Sequence, residues 1–234
     1  MKKTALFEYI FDSLKNKKIP RVDLHVHTNW TDGEHTVKQM HENACEKLLT
    51  HIFFSEHSRK ESGPWFKKFI EEVNSLSKDK CEAMCGTEVK ILNFEGDLDI
   101  TEEFYKISDL IMASVHRFPG ETSEDFKKND AYSEDNVIKM EFDLMMAALE
   151  NPKVDILGHP FGMSIKRFGF DPSQKLFDEV IKKCNKKDKV FEVNFRYHKN
   201  PKLLISKCIE HNTKISLGSN AHSKDELGKI IENI

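Results

Sequence analysis

The sequence of 234 residues lacks the features that would place a protein in a membrane or on nucleic acid. It has no apolar run near the roughly 20 residues that a membrane-spanning helix needs. Its charges nearly balance, with 36 basic and 39 acidic residues and a net charge of −3. A balanced chain does not indicate a basic surface for nucleic acid. We therefore expect neither a membrane nor a nucleic acid as partner.

We also expect no secretory leader. The first 18 residues begin like a signal peptide, but Glu8 and Asp12 interrupt the apolar stretch and no small-residue cleavage site follows. The pattern predicts instead an N-terminal amphipathic helix over 1–18, packed under the domain. Its apolar face would carry Leu6, Tyr9, Ile10 and Leu14.

Cysteine is scarce and irregularly spaced. The five cysteines are odd in number and lack the paired spacing typical of zinc fingers. Cys81 and Cys85 lie four residues apart on a predicted strand, where cysteines are more often core residues than metal ligands. A disulfide framework is therefore not expected, and the protein is predicted to be reduced and cytoplasmic.

Strand-like apolar runs alternate with helix-like segments about seven times along the chain, with a long polar loop at 117–133. This order predicts one α/β domain over 1–234, with parallel strands wrapped by helices. A doubly wound open sheet would show the same alternation. A closed or nearly closed barrel is favoured, because polar residues follow most of the predicted strands and a barrel brings the ends of its strands together.

The segment RVDLHVHTNWTDG, which begins at residue 21, has the most informative pattern. Val22, Leu24 and Val26 alternate as the core-facing residues of a buried strand do. His25 and His27 then share the opposite face, and this arrangement can present two metal ligands. An accidental surface pair would look the same in isolation.

An excess of histidines at strand ends favours the metal interpretation. Six of the eleven histidines lie there: His25, His27, His57, His116, His159 and His222. Asp32 and Glu88 lie at neighbouring strand ends, and such ligands suit zinc, manganese or iron. The other five are interpreted as ordinary: His35, His41, His51, His198 and His211.

From about Arg21 to its end, the chain resembles the polymerase and histidinol phosphatase (PHP) superfamily. The matching segments, in order, are DLHVHTNWTDG, SEH, GTEVKIL with FEGDLDI, SVH, GHP, EVN and GSNAH. The resemblance implies a distorted (β/α)7 TIM-like barrel with two to three divalent metal ions. It also implies three ligand groups, with Glu88 bridging the first two. The first group is His25, His27 and Asn220, the second is His116 and His159, and the third is Asp32, His57 and His222.

Two positions depart from the family pattern, which usually has aspartate where this chain has Glu56 and Asn220. Asparagine is neutral and binds through one oxygen, so we expect a more weakly held first ion. Glu56, or a hydroxide activated by the ions alone, would then have the catalytic role. A catalytically silent metal-binding protein is the alternative that Asn220 leaves open.

Arginine is scarce, with only five among the 36 basic residues, and four of the five follow predicted strands. These four are Arg59, Arg117, Arg167 and Arg196. Because the guanidinium fork matches phosphate oxygens, Arg117 and Arg196 are predicted to bind phosphate. Each could equally be an ordinary surface arginine.

The resemblance implies a hydrolase acting on phosphate esters. We expect no polymerase domain in this chain, and therefore no proofreading role of the kind that such domains have when fused to a polymerase. The prediction is a phosphatase that hydrolyses a small phosphate monoester, such as histidinol phosphate, by metal-activated hydroxide. A nuclease or nucleotide phosphodiesterase is the alternative within the same class.

Overall fold

Seven parallel strands form the centre of the computed structural model, which describes residues 3–122 and 132–234. They are β1 (Val22–Val26), β2 (His51–Glu56), β3 (Glu82–Lys90), β4 (Leu110–Ser114), β5 (Ile156–Leu157), β6 (Val190–Asn194) and β7 (Ile215–Gly218). Each strand pairs with its neighbours in the sequence, in the order β1 to β7. Their residues are almost entirely buried, as expected for parallel strands covered by helices.

The first and last strands meet and nearly close the sheet. The backbone N–H of His27 donates to Ala221 O at 2.9 Å, and the N–H of Ala221 donates to His25 O at 3.1 Å. The predicted distorted (β/α)7 barrel is therefore confirmed. The closure brings the segment after β7 against the end of β1, so residues 196 positions apart in the sequence become neighbours.

The helices are α1 (Lys3–Lys15), α2 (Val37–Glu46), α3 (Gly63–Asn74), α4 (Glu102–Ile107), α5 (Glu134–Ala148), α6 (Gln174–Lys186), α7 (Pro201–Glu210) and α8 (Lys229–Glu232). A 3-10 turn covers Lys60–Ser62 and a π-helical turn covers Met163–Arg167. Thr36 starts α2 with a capping box that it shares with Gln39. In the described part of the chain, no helix is both long and apolar enough to cross a membrane.

The N-terminal helix differs in part from its prediction. Its buried face carries Leu6, Phe7 and Ile10, whereas Tyr9 is 42% exposed. The apolar stripe is centred on Ile10, and a helical rotation of about 100° per residue puts Phe7 nearer that centre than Tyr9. The prediction that included Tyr9 is therefore wrong for that residue. Residues 1–2 of the predicted helix, and most of the predicted loop at 117–133, lie outside the described residues.

Asp23 anchors the end of the chain beneath the barrel. Its buried carboxylate accepts hydrogen bonds from Ser219 N at 2.9 Å and from Gly228 N at 2.7 Å. Gly228 adopts a left-handed conformation with φ of 78°, and α8 starts only after it. The strand face that carries His25 thus also fixes the segment that follows β7.

The cysteines are all free, and Cys81 and Cys85 are buried in the core. Burial raises the pKa of each thiol far above its ordinary value. Neither residue belongs to a cluster of possible metal ligands in the described residues, so their interpretation as core residues agrees with the structure.

Candidate metal centre

Glu88 lies at the centre of the histidines that end the strands. Its carboxylate is buried, and β3 projects it into the carboxyl end of the barrel. The Oε1 atom lies 2.7 Å from His159 Nε2 and 3.1 Å from His116 Nε2. The Oε2 atom has three further imidazole contacts: His57 Nδ1 at 3.2 Å, His25 Nε2 at 3.3 Å and His27 Nε2 at 3.5 Å.

The surrounding imidazoles determine the charge of the Glu88 carboxyl group. Burial raises the pKa of its carboxyl group, but His116 and His25 outweigh burial and hold the pKa well below its ordinary value. Its Oε2 atom is buried and has no hydrogen-bond partner. An ionised oxygen that several imidazoles approach, yet none satisfies, fits a bridging ligand of metal ions.

His27 links the two sides of the cluster. Its ring lies 4.4 Å from the ring of His57 and 4.5 Å from that of His222, both stacked. Asp32 closes this group, with its Oδ2 atom 3.3 Å from His222 Nε2 and 3.4 Å from His57 Nε2. Burial, followed by the neighbouring His57 and His25, lowers the pKa of His27 well below its ordinary value. His27 therefore stays neutral and keeps a lone pair for a cation.

His25 is oriented by Glu192, a residue that the sequence analysis did not single out. The Nδ1–H of His25 donates to Glu192 Oε1 at 2.7 Å, which leaves Nε2 free on the side of Glu88. Burial lowers the pKa of His25, but Glu192 and Glu88 outweigh it and raise the pKa to about 10. The site thus favours a positive charge between His25 and Glu88. A carboxylate that orients a ligating histidine is a common outer partner of metal sites.

Glu192 is itself held firmly. Its Oε2 atom accepts from the backbone N–H of His159 at 2.5 Å, and Oε1 accepts from Asn194 Nδ2 at 2.8 Å. Gly218 on the adjacent strand leaves room for it, because a Cβ at that position would lie 2.1 Å from Glu192 Oε1. The sequence carried two signals for Glu192: it is a charged residue within the apolar run VFEVN of a buried strand, and it begins EVN, one of the segments that resemble the PHP superfamily.

Seven of the nine predicted ligands fall into three overlapping groups whose ligand atoms lie within 4.8 Å of one another. These groups are His27, Asp32, His57 and His222; His25, His27 and Glu88; and His57, Glu88 and His116. His159 joins them through its contact with Glu88. Their predicted role as ligands remains a prediction.

Asn220, the ninth predicted ligand, lies two residues beyond β7. It is buried, it adopts a left-handed backbone conformation with φ of 52°, and its Oδ1 atom has no hydrogen-bond partner. Asparagine tolerates this conformation better than most residues. The side chain of Asn220 lies near that of Tyr197, whose ring stacks on His159 at 4.3 Å.

Glu56, the predicted catalytic residue, makes different contacts. Its buried carboxylate accepts from Thr28 N and Thr28 Oγ1, both at 2.7 Å, and from the Thr31 hydroxyl. Burial raises its pKa to about 7. These bonds tie the end of β2 to the loop that carries Asp32. Glu56 is not among the residues that line the cavity next to the cluster.

That cavity has a volume of about 750 Å³ and reaches Asp32, His57, His116 and His159. Of the two arginines predicted to bind phosphate, Arg117 lines it. Arg196 does not. It forms an ion pair with Glu226 at 2.8 Å, and its Nη1 atom lies 3.0 Å from His222 Nδ1.

The donor set fits divalent metal ions. Imidazole nitrogens surround an ionised carboxylate, and buried polar atoms of His27, Glu88, His159 and Asn220 lack partners. Leaving such atoms unsatisfied costs free energy in the absence of a cation. Nitrogen and oxygen donors in this combination suit zinc, manganese and iron.

Comparisons with known proteins agree with the fold. The model of the PHP domain family matches residues 23–196. A protein of Thermoanaerobacter sp. (strain X514), named "probable phosphatase", is 28% identical over 222 residues, which cover 89% of this chain and 82% of that protein. The solved structure of a Listeria monocytogenes protein, provisionally named a histidinol phosphatase, has a TM-score of 0.71 at 18% identity. That match covers 89% of this chain and 97% of the other.

A second solved structure is similar over most of its length. It is the histidinol phosphate phosphatase of Lactococcus lactis subsp. lactis Il1403, in complex with zinc, L-histidinol and phosphate. The TM-score is 0.62 at 18% identity, and the match covers 91% of this chain and 92% of that one. At this identity the two structures show a shared fold.

Proposed function

Because the chain belongs to the PHP domain family, we propose that it is a metal-dependent phosphoesterase that hydrolyses a small phosphate monoester. The observation that carries this proposal is the carboxylate of Glu88, which contacts five imidazoles at 2.7 to 3.5 Å. One anion shared among so many imidazole nitrogens is suited to bridging metal ions.

In this proposal the chain holds two to three divalent ions of zinc, manganese or iron. The ligands are those predicted from the sequence: His25, His27, Asp32, His57, Glu88, His116, His159, Asn220 and His222. Such ions would supply Lewis-acid activation of water at neutral pH and neutralise charge on the phosphoryl group. Hydrolysis joins the oxygen of water to phosphorus and breaks the ester P–O bond, which yields inorganic phosphate and the alcohol.

The chain's own residues would orient the reactants. Glu192 fixes the ring of His25, so that Nε2 faces Glu88. Arg117, on the cavity wall beside His116, would donate charge-assisted hydrogen bonds to the phosphoryl oxygens. For Arg196, the contacts with Glu226 and His222 support a role in positioning His222. For Glu56, the bonds to Thr28 and Thr31 support a role in positioning the loop of Asp32.

The cavity volume supports a small substrate, since pockets for small molecules commonly measure about 300 to 1,000 Å³. Histidinol phosphate is the named monoester that the similarity to the Lactococcus protein suggests as a first candidate. The free cysteines support a reducing compartment such as the cytoplasm.

The test uses the metal-free chain reloaded with manganese or zinc. We expect hydrolysis of p-nitrophenyl phosphate, with bis(p-nitrophenyl) phosphate a poorer substrate, and loss of activity in Glu88→Gln. Glu82→Gln, at the opposite end of the same strand, is the matched control and should retain activity. Preference for the diester would favour the nuclease alternative. Bound metal without hydrolysis of either ester would favour the catalytically silent alternative.

A further inference from the structure

The cavity next to the metal centre has a cationic wall built from separate loops. Arg59 follows β2, Arg117 follows β4, and Lys166 lies on the π-helical turn after β5. Arg167 lines the cavity too, and its guanidinium pairs with Glu121 at 2.5 Å. The loops after β2, β4 and β5 therefore each bring a cation to the lining of the same opening.

Two of these cations lack an internal counter-ion. Within the described part of the chain, Arg59 and Lys166 are exposed and form no ion pair with a carboxylate. By contrast, Arg167 pairs with Glu121 and Arg196 pairs with Glu226. Exposed, unpaired cations that converge on a cavity are available to a ligand.

The positive charge extends below the wall. Lys90 ends β3 and is partly buried, and it lies within electrostatic range of Arg117 and Arg59. Like charges this close to each other raise the free energy of the empty cavity. An anion bound among them would lower it.

The same wall offers little to a cationic ligand. Among the described residues that line the cavity, Asp32 is the only carboxylate. Its oxygens lie 3.3 Å from His222 and 3.4 Å from His57, inside the proposed metal centre. The ammonium group of an amino alcohol such as histidinol would therefore meet Arg59 and Lys166 without an anion to balance it, which disfavours histidinol phosphate relative to an anionic monoester.

We infer that the cavity binds a second anionic group of the substrate, a phosphate or a carboxylate, on Arg59 and Lys166, beside the phosphate ester that is hydrolysed. This inference rests on the proposed function and specifies its substrate class as phosphate monoesters that carry a second anionic group. In the order of the strands, Arg117 after β4 lies between Arg59 after β2 and Lys166 after β5. The volume of about 750 Å³ leaves room for both groups and a short carbon chain.

The test compares four alkyl phosphates with similar leaving groups on the metal-loaded protein. These are propyl phosphate, 1,3-propanediol bisphosphate, the phosphate ester of 3-hydroxypropionate, and 3-aminopropyl phosphate. We expect kcat/KM, counted per phosphate group, to be at least about tenfold higher for one of the two substrates with a second anionic group than for propyl phosphate, and lowest for the aminopropyl ester. The bisphosphate and the carboxylate distinguish which anion the subsite takes.

Variants locate the effect. Arg59→Ala and Lys166→Ala should each reduce the preference for the second anion by about 10- to 100-fold, the range for a charge-assisted hydrogen bond. Lys60→Ala is the matched control, because it removes an exposed cation next to Arg59 that does not line the cavity. It should leave the preference unchanged.

The outcomes separate the two proposals. The second subsite would be overturned if kcat/KM were equal for propyl phosphate, the bisphosphate and the carboxylate ester, or if the aminopropyl ester were hydrolysed faster than propyl phosphate. Either result would leave the proposed phosphoesterase activity intact. A preference that survives in both alanine variants would also overturn it. If the protein hydrolysed none of the four esters and did not hydrolyse p-nitrophenyl phosphate either, the proposed function would be wrong, and this inference would fail with it.

Discussion

Adding one methyl group to Gly218 should damage the metal centre without changing any ligand. A Cβ on Gly218 would lie 2.1 Å from Glu192 Oε1 and 2.6 Å from His25 Cβ, where ordinary contacts are 3.4 Å or longer. Glu192 cannot yield easily, because it is buried and bonded to His25, His159 and Asn194. Gly218→Ala must therefore displace Glu192 or the ring of His25.

The magnitude has two parts. Overpacking of a buried site costs about 1–3 kcal/mol of the free energy of unfolding. In a chain of this size, that corresponds to a fall in Tm of about 2–12 °C. Disturbing the carboxylate that orients a ligating histidine typically lowers metal affinity by about 10- to 100-fold. Both effects should appear together in Gly218→Ala.

The assay compares Gly218→Ala with Gly63→Ala, since a Cβ on Gly63 would meet no atom within 4 Å. Thermal unfolding of the metal-free proteins measures the packing cost, and competition with a chelator measures metal affinity. We expect Gly63→Ala to behave like the parent protein in both. If Gly218→Ala matched Gly63→Ala in Tm and in metal affinity, the contact between Glu192 and His25 would have no role in the site.

Asn220, Arg117 and Glu141 can each be tested by a single substitution. Asn220→Asp adds a charged oxygen where a buried, unpartnered one now lies; we expect tighter metal binding and faster hydrolysis at limiting metal, and slower hydrolysis at saturating metal would show that asparagine is the adapted residue. Arg117→Lys keeps the charge but loses the guanidinium fork. The fall in kcat/KM for p-nitrophenyl phosphate should correspond to a loss of about 1–3 kcal/mol of transition-state stabilisation. Unchanged kinetics would show that Arg117 does not bind the phosphate. Burial raises the pKa of the Glu141 carboxyl group from 4.5 to about 7. Between these two pH values the folded chain retains a proton that the unfolded chain loses. The stability that this proton provides is therefore present at low pH and is lost as the pH rises from 4.5 to about 7. Urea unfolding should therefore show a smaller loss of stability between pH 4.5 and pH 7 in Glu141→Gln than in the parent, and parallel curves would contradict this.

The barrel and the candidate ligands could be predicted from the sequence because both depend on local patterns. The alternation in VDLHV shows which residues share a strand face, and parallel strands bring their carboxyl ends together. His25 and Glu88 could thus be assigned to one end of the barrel without knowledge of any contact.

The partners of those ligands could not be predicted, because they depend on side-chain directions and on pairs distant in the sequence. Glu192 meets His25 across 167 positions, on two strands separated by β7. Glu56 follows the same alternation as a site residue, yet its carboxylate turns to Thr28 and Thr31. Arg196 follows a strand as Arg117 does, but it pairs with Glu226, which lies in the turn before α8.

The most direct test of the metal-dependent phosphoesterase is a titration of the metal-free chain with manganese or zinc, followed by the rate of p-nitrophenyl phosphate hydrolysis. We expect no hydrolysis without metal, a rise in the rate over the first two to three equivalents of metal ion per chain, and a constant rate beyond them. A protein that shows no hydrolysis at any ratio, or equal hydrolysis with and without metal, would contradict it.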